Sequence, residues 1–454
     1  MGRPREVYEW SRSAQHFREL RPNGWSTRRQ APLPLKLMVT AAHREVRRNH
    51  PKQRLALQRR RTMVHPTKVA KAGSTMWRRI EITNFRSIES AKVTLAPFTI
   101  TVGRNSSGKS NFADALVFAR DFSTDASTAV QGRGGIANLR RWTQKGATDV
   151  RIDLTGADSK QALEAGPVRH SFTLRSGQEG AWRIYKEVIA APELNFVRQD
   201  KKLDERFKQL IPVQLGANAS AMPYVRRINQ QLTMLEKVRR FRLNADGMRK
   251  PQIATERANL DESGVNIAVA VQGLKRDPER WKRIMSAMAR IVPGLKDILV
   301  DNLGGYMVLG FLQSQSEGKD ARFAAVSMSE GAIRALGILV AAEQMIRGEL
   351  LIIEEPEVSL HSGAANLLFD VLKSASTRGA VLLTTHSAEL LDAARDEEIL
   401  VCEFRNGITE IGPLASEQRK LVKEGLFTVA ELMRSEDLRI EGSVAPVLDP
   451  RSNP

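Results

Sequence analysis

The apolar positions of this chain change their spacing twice, and each change marks a different kind of structure. From Met76 onward they come in short alternating or unbroken blocks. Residues 80–82 and 93–95 alternate as half-buried strands do, and residues 98–102 (FTITV) form an unbroken block that predicts a buried strand. A helical stretch, 111–120, follows. Further strands are predicted at 150–154, 170–174 and 182–189, with turn residues between them that suit an antiparallel arrangement. Between 200 and 300 the spacing becomes helical. Val225, Ile228, Leu232, Leu235 and Val238 recur at intervals of three and four, which predicts a helix over that stretch inside a helical insertion. From 332 the pattern is α/β: a helix over 332–347 ended by Gly348, the aliphatic strand 350–353, a helix over 362–378 ended by Gly379, and the strand 381–385. Strands near Ile399 and Ile408 and a helix near 429–433 close the patterned part. The order of elements predicts a doubly wound parallel sheet.

Before Met76 no periodicity of either kind is sustained. Residues 1–75 hold 18 Lys and Arg against 4 Asp and Glu, so they carry 14 of the chain's 19 net positive charges. Such a composition buries too little apolar surface to order itself, so 1–75 is expected to be a basic, disordered extension. Its charge suits nucleic acid phosphates. The 454 residues suffice for two or three domains, read as 76–200, 201–300 and 301–454. No run of about 18 apolar residues and no signal-peptide pattern is visible, so no membrane partner is expected. The lone cysteine, Cys402, excludes an internal disulfide, and a reducing cytoplasm is the expected setting.

Chemistry enters between the strand 98–102 and the helix 111–120. Gly103, Arg104, Asn105, Ser106, Ser107, Gly108, Lys109 and Ser110 spell a complete G-x-x-x-x-G-K-[ST] loop in its required strand–loop–helix setting. Glycines let backbone N–H groups close around phosphates, and the helix N-terminus favours negative charge. Lys109 would reach the β- and γ-phosphates of ATP, and the Ser110 hydroxyl would hold Mg²⁺. Glu354 and Glu355 close the aliphatic strand 350–353, where ligands bind in such sheets. Glu354 suits a hard cation, and Glu355 suits the attacking water. His386 closes the next strand in the same way. Ser329, Glu330 and Gly331 open the helix 332–347 and fit an anion-binding N-terminus facing the γ-phosphate of a second nucleotide.

These pieces together resemble one family. IEITNFRSI (80–88), GRNSSGKSN (103–111), LDESGVNIA (260–268), SMSEGAIRAL (327–336), LLIIEEPEVSLH (350–361) and TTHS (384–387) occur in the order found in AAA/ABC-type ATPases of the RecF, SMC and OLD kind. The resemblance implies a P-loop NTPase fold of ABC-ATPase type, with a mixed N-terminal β lobe and an inserted helical subdomain. It makes 105–110, with Asn111, the Walker A loop, Glu354 the Walker B acid and Glu355 the catalytic glutamate. Ser329, Glu330 and Gly331 become the signature, 359–361 the D-loop and His386 the switch histidine. ATP would then lie between two copies of the chain. The resemblance does not assign the Q-loop glutamine; Gln131 and Gln144 are its candidates. The 68 residues after His386 are too few for the nuclease domain that OLD-type proteins carry. The implied function is an ATPase head coupled to DNA or to a separately encoded nuclease or effector, in DNA repair or anti-phage defence. A regulatory ATP-binding subunit that restrains a toxin is the alternative. A transporter ATPase fits less well, because SEG stands where LSGGQ would.

Overall fold

The computed structural model describes residues 76–442, apart from 144–145, 158–159, 201, 209, 212–214, 257, 316–317, 393 and 436–437. The basic extension 1–75, Gln144 and the tail beyond 442 lie outside the described residues.

The first strands are β1 (Met76–Phe85), β2 (Ile88–Val93), β3 (Phe98–Val102), β4 (Val150–Ala157), β5 (Val168–Ser176), β6 (Trp182–Ala191), β7 (Leu194–Gln199), β8 (Lys202–Leu203) and β9 (Val238–Phe241). A smaller sheet comprises β10 (Gln252–Ile253), β11 (Leu295–Leu303), β12 (Tyr306–Ser314) and β13 (Asp320–Ala324). The chain then returns to the main sheet with β14 (Leu350–Glu354), β15 (Ala380–Thr385), β16 (Ile399–Arg405) and β17 (Ile408–Pro413). The main sheet has the order β8-β7-β6-β5-β4-β1-β2-β17-β16-β3-β15-β14-β9.

This sheet has two characters. At one end β16, β3, β15, β14 and β9 are all parallel neighbours. Of these, β3, β15 and β14 are buried along their whole length, because helices cover both faces. At the other end β2, β1 and β4 to β8 are all antiparallel neighbours, so the β lobe that the resemblance implies is present but is antiparallel rather than mixed. The longer helices are α1 (Lys109–Thr124), α2 (Ile267–Leu274), α3 (Pro278–Ile291), α4 (Glu330–Glu343) and α5 (Ser362–Ala375). Leu351, Ile353, Val381 and Leu383 pack with α2, α3, α4 and α5 in one core. Leu350, Ile352, Leu382 and the apolar face of α1 pack with the β lobe in the other. The architecture is α/β with a P-loop NTPase arrangement.

The stretch 201–300 differs from the expected helical insertion. The seam 225–238 is not one helix: it divides into a helical turn at Met222–Val225, a 3₁₀ segment at Gln230–Glu236 and the strand β9. Pro223 sits in the first turn, and the Asn229 side chain accepts a hydrogen bond from Gln231 N, starting a new segment. Val225, Leu232, Leu235 and Val238 are nevertheless buried, whereas Ile228 is 52% exposed. Within the 3₁₀ segment every third residue falls on one face, which buries Leu232 and Leu235 together, while Val225 and Val238 are buried from the preceding turn and the following strand.

Candidate active site

Parallel strands bring their C-terminal ends to one edge of the sheet. The register pairs Thr385 with Val102, Glu354 with Thr384 and Ile353 with Phe241. The loop after β3, the two glutamates ending β14, His386 after β15 and Arg242 after β9 therefore meet at one edge. Sequence-distant residues become neighbours through strand order alone.

The phosphate loop is braced from behind. Gly108 has φ of 106°, and a Cβ there would lie 2.3 Å from the Thr409 hydroxyl oxygen. Only glycine accommodates both the left-handed backbone and that approach. The Thr409 hydroxyl and the Cys402 thiol donate to the Ser107 carbonyl at 2.9 and 3.2 Å. Burial pushes the Cys402 thiol up to about 11, against the pull of the Ser107 side chain and the Lys109 ammonium, so it remains protonated. Asn111, expected to touch nucleotide, donates to the Ser87 hydroxyl at 2.6 Å. Asn105 and Ser106 are exposed in the loop, and Ser106 has a positive φ of 64°. The Lys109 ammonium donates to the carbonyls of Gly103 and Arg104 at 2.8 and 2.9 Å. Burial holds it below the usual lysine value, opposed by the nearby Glu355 and Glu357 carboxylates. An anionic phosphate would offer this ammonium a better partner than two loop carbonyls.

Ser110 and Glu354 are in direct contact: the hydroxyl donates to Glu354 Oε2 at 2.7 Å. Glu354 is buried, and its other oxygen, Oε1, has no hydrogen-bond partner among the described residues. No cluster of three or more His, Cys, Asp or Glu suited to a metal occurs among the described residues. One hydroxyl and one carboxylate with a spare oxygen suit Mg²⁺, which takes few protein ligands and completes its shell with phosphate oxygens and water.

Glu355 adopts a left-handed backbone, with φ of 48°. Its N–H donates to the Thr384 carbonyl at 2.9 Å, and its own carbonyl accepts from Arg334 of α4 at 2.9 Å. A strained residue held from both sides points to a function for its side chain. His386 Nδ1 lies 3.5 Å from Glu355 Oε1 and 3.9 Å from Glu357 Oε1. Glu357, which the sequence reading passed over, accepts from the Thr385 hydroxyl at 2.5 Å, and its Oε2 is buried without a hydrogen-bond partner among the described residues. Burial pushes its carboxyl above the usual glutamate range, against that hydrogen bond.

Ser329 caps α4 by accepting from Ala332 N at 3.2 Å, and Glu330 beside it is exposed. A Cβ on Gly331 would lie 2.1 Å from the Ser359 carbonyl oxygen, so the start of α4 and the 359–361 loop abut directly. His361 in turn caps α5 through Nδ1, which accepts from Ala364 N at 3.2 Å. Gln131 is exposed at the end of the helix Ala126–Gln131 and lies on none of the strand ends at this edge.

Three further residues were not singled out from sequence. Arg240 and Arg242 approach the two Glu354 oxygens at 3.7 and 3.5 Å. Asp114, one turn after Ser110 on α1, accepts three guanidinium contacts: Arg86 at 2.9 Å, Arg133 at 3.2 Å and Arg240 at 3.4 Å. The alternation Arg240-Phe241-Arg242 was the available signal, since it places both arginines on one face of a strand.

The chain is 22% identical over 403 residues to the Old nuclease of Escherichia phage P2, a match spanning 80% of this chain and 67% of that relative. Its fold is similar to a SmcHead bound to the C-winged helix domain of ScpA (14% identity, 75% of this chain, 99% of the other, TM-score 0.49). It is also similar to a Pyrococcus furiosus Smc head domain with an extended coiled coil, bound to the C-terminal domain of ScpA (12% identity, 78% and 99%, TM-score 0.47). The profile of the family described as "AAA domain, putative AbiEii toxin, Type IV TA system" matches residues 98–392, well over half of the chain. The chain thus belongs to that family and is an ATPase of the AAA/ABC type.

Proposed function

We propose that this chain binds ATP with Mg²⁺ on the loop 103–110, hydrolyses it, and dimerises around the nucleotide. The contact between the Ser110 hydroxyl and Glu354, beside the spare oxygen Glu354 Oε1, carries this reading. Ser110 and Glu354 would hold the metal, which supplies charge neutralisation and Lewis acidity at the phosphates. Gly103, Asn105, Ser106, Ser107, Gly108 and Asn111 shape the loop, and Lys109 offers its ammonium to the β- and γ-phosphates. Glu355 orients a water for in-line attack and accepts its proton; the bond to the γ-phosphorus forms as the β–γ bridge breaks, leaving ADP and inorganic phosphate. His386, facing Glu355, steadies that carboxylate and the departing phosphate.

The signature residues Ser329, Glu330 and Gly331 belong to the other half of a composite site, presented by a second copy. The direct packing of Gly331 on Ser359 supports their presentation as one unit with the 359–361 loop. Turnover is coupled to DNA or to a separately encoded nuclease or effector, in DNA repair or anti-phage defence. The stretches 76–200 and 301–454 serve this as two parts of one head, and 201–300 contributes β9 to their shared sheet. No described helix is long and apolar enough to cross a membrane. The family's description includes a putative toxin, and this favours a second reading in which nucleotide binding restrains a toxin and basal turnover is slow.

The test compares wild type with Glu355→Gln. The variant should bind ATP as tightly and hydrolyse it at least about a hundredfold more slowly, and should accumulate as a dimer in ATP by light scattering. Unchanged turnover would remove Glu355 from the reaction. Stimulation by DNA or by a co-encoded partner separates the first reading from the second.

A further inference from the structure

Glu354 is approached by a cation on each of its oxygens, and the two cations are held very differently. Register pairs Arg240 with Ile352, so Arg240 and Arg242 lie on the sheet face that also carries Glu354. Arg240 is fixed. Its guanidinium also meets Asp114 at 3.4 Å and Glu262 at 3.8 Å, and only 16% of its side chain is exposed. Arg242 is 63% exposed, and Glu354 is its one ion-pair partner among the described residues, at 3.5 Å. At 3.7 and 3.5 Å neither contact is a good hydrogen bond, and among the described residues Glu354 Oε1 and Arg240 Nε are both buried without a hydrogen-bond partner. Glu354 Oε2, which faces Arg242, is the oxygen that accepts from Ser110.

We propose that Arg242 is a nucleotide-reading residue: it rests on Glu354 when the site is free, and moves to the terminal phosphate of a nucleoside triphosphate when one binds. The proposal rests on the reading of 103–110 as the ATP loop with Ser110 and Glu354 as the metal-holding pair. A divalent cation held by that pair is repelled by both guanidinium groups. Arg240 cannot leave, because Asp114 and Glu262 hold it. Arg242 can, because nothing else described holds its head. The anion that arrives with the metal is the polyphosphate, and a guanidinium fork matches a terminal phosphate with two parallel hydrogen bonds. A diphosphate ends one phosphoryl group short and offers Arg242 no such partner. Arg242 therefore supplies preference for triphosphate over diphosphate, from the strand next to Glu354.

The test measures binding by the full chain of a non-hydrolysable ATP analogue and of ADP, each with Mg²⁺ and with a chelator, by calorimetry. Arg242→Ala should weaken the triphosphate analogue by about ten- to a hundredfold, as expected for lost charge-assisted hydrogen bonds. It should leave ADP within about twofold, so the triphosphate-to-diphosphate ratio collapses, while Arg242→Lys retains part of it. An unchanged ratio in Arg242→Ala, or an equal loss for both nucleotides, would overturn the proposal. Lys109→Ala is the separate control. If it binds both nucleotides as wild type does, the loop reading itself fails. If it loses both while Arg242→Ala keeps the wild-type ratio, only the role of Arg242 fails.

Discussion

Asp114 is the structural hinge of the site, and replacing it with alanine should be among the most damaging single changes in the domain. Its carboxylate is 8% exposed and faces guanidinium groups from three separate segments: Arg86 after β1, Arg133 after the helix Ala126–Gln131, and Arg240 in β9. Two of the three are well buried, at 11% and 16% exposure, and Arg86 is 34% exposed. Truncation leaves the buried cations facing one another without the shared anion. Removing one partner of a buried pair costs about 3–5 kcal/mol. Arg133 keeps Asp121 at 3.0 Å, and Arg240 keeps Glu262 and Glu354, which offsets part of the loss. The exposure of Arg86 discounts its share further. A net loss of about 3 kcal/mol follows, at least a fifth of the total stability of an ordinary domain. The assay is urea denaturation followed by tryptophan fluorescence, for wild type, Asp114→Asn and Asp114→Ala. Asp125→Ala serves as an exposed control: Asp125 caps its helix by accepting from Thr128 N at 3.0 Å, and its loss should cost about 1 kcal/mol. Because Asp114 is buried, its deficit should persist at high salt, where exposed pairs are screened. An Asp114→Ala deficit no larger than that of Asp125→Ala, or one abolished by salt, would refute the account of a buried anion with three counter-charges.

Gly331→Ala places a methyl against the Ser359 carbonyl, a backbone atom that cannot swing aside. It should cost about 1–3 kcal/mol, and an unchanged melting midpoint would contradict the contact. Cys402, with its thiol pushed up to about 11, should resist thiolate-specific reagents in the folded chain and react fully once denatured; rapid labelling of the folded chain near pH 8 would contradict its buried, hydrogen-bonded setting. Glu357 has a carboxyl held above the ordinary glutamate range, so its protonated form favours folding. That contribution is complete below the ordinary glutamate pKa and is lost as pH rises through the raised one. Glu357→Gln should therefore gain stability relative to wild type on going from acid to neutral pH, and a pH-independent difference in denaturation midpoint would refute the shift.

What could be read from sequence was what is local. The phosphate loop, the aliphatic blocks that became β3, β14 and β15, and the glutamates and histidine at their ends each depend on a few contiguous residues and on the rule that parallel strands gather their C-terminal ends. The helical reading of 225–238 failed because burial at every third or fourth position is a demand of the core, and more than one backbone can meet it. Val225, Leu232, Leu235 and Val238 are all buried as that spacing requires, yet Val238 is in a strand. The sequence also held no sign that β9 would lie beside β14.

That adjacency decides the character of the site. An arginine-rich strand, Val238–Phe241 with Arg242 after it, looks solvated when read alone, because charges at a strand end usually face water. Placed next to β14 in parallel register, its alternating arginines stand beside the one carboxylate that also contacts Ser110. A carboxylate flanked by two guanidinium groups is a poor site for a free divalent cation, since each adds repulsion in a partly desolvated setting. It becomes a good one when a polyphosphate arrives, brings compensating charge and draws the exposed arginine away. Metal and triphosphate should therefore bind this chain as one unit. The chain's affinity for Mg²⁺ alone should be weak and should rise in Arg242→Ala, where one of the two competing cations is gone. Calorimetric titration of both proteins with Mg²⁺ in the absence of nucleotide reads this directly. Equal affinity in the two would mean that the guanidinium groups beside Glu354 have no electrostatic hold on the metal.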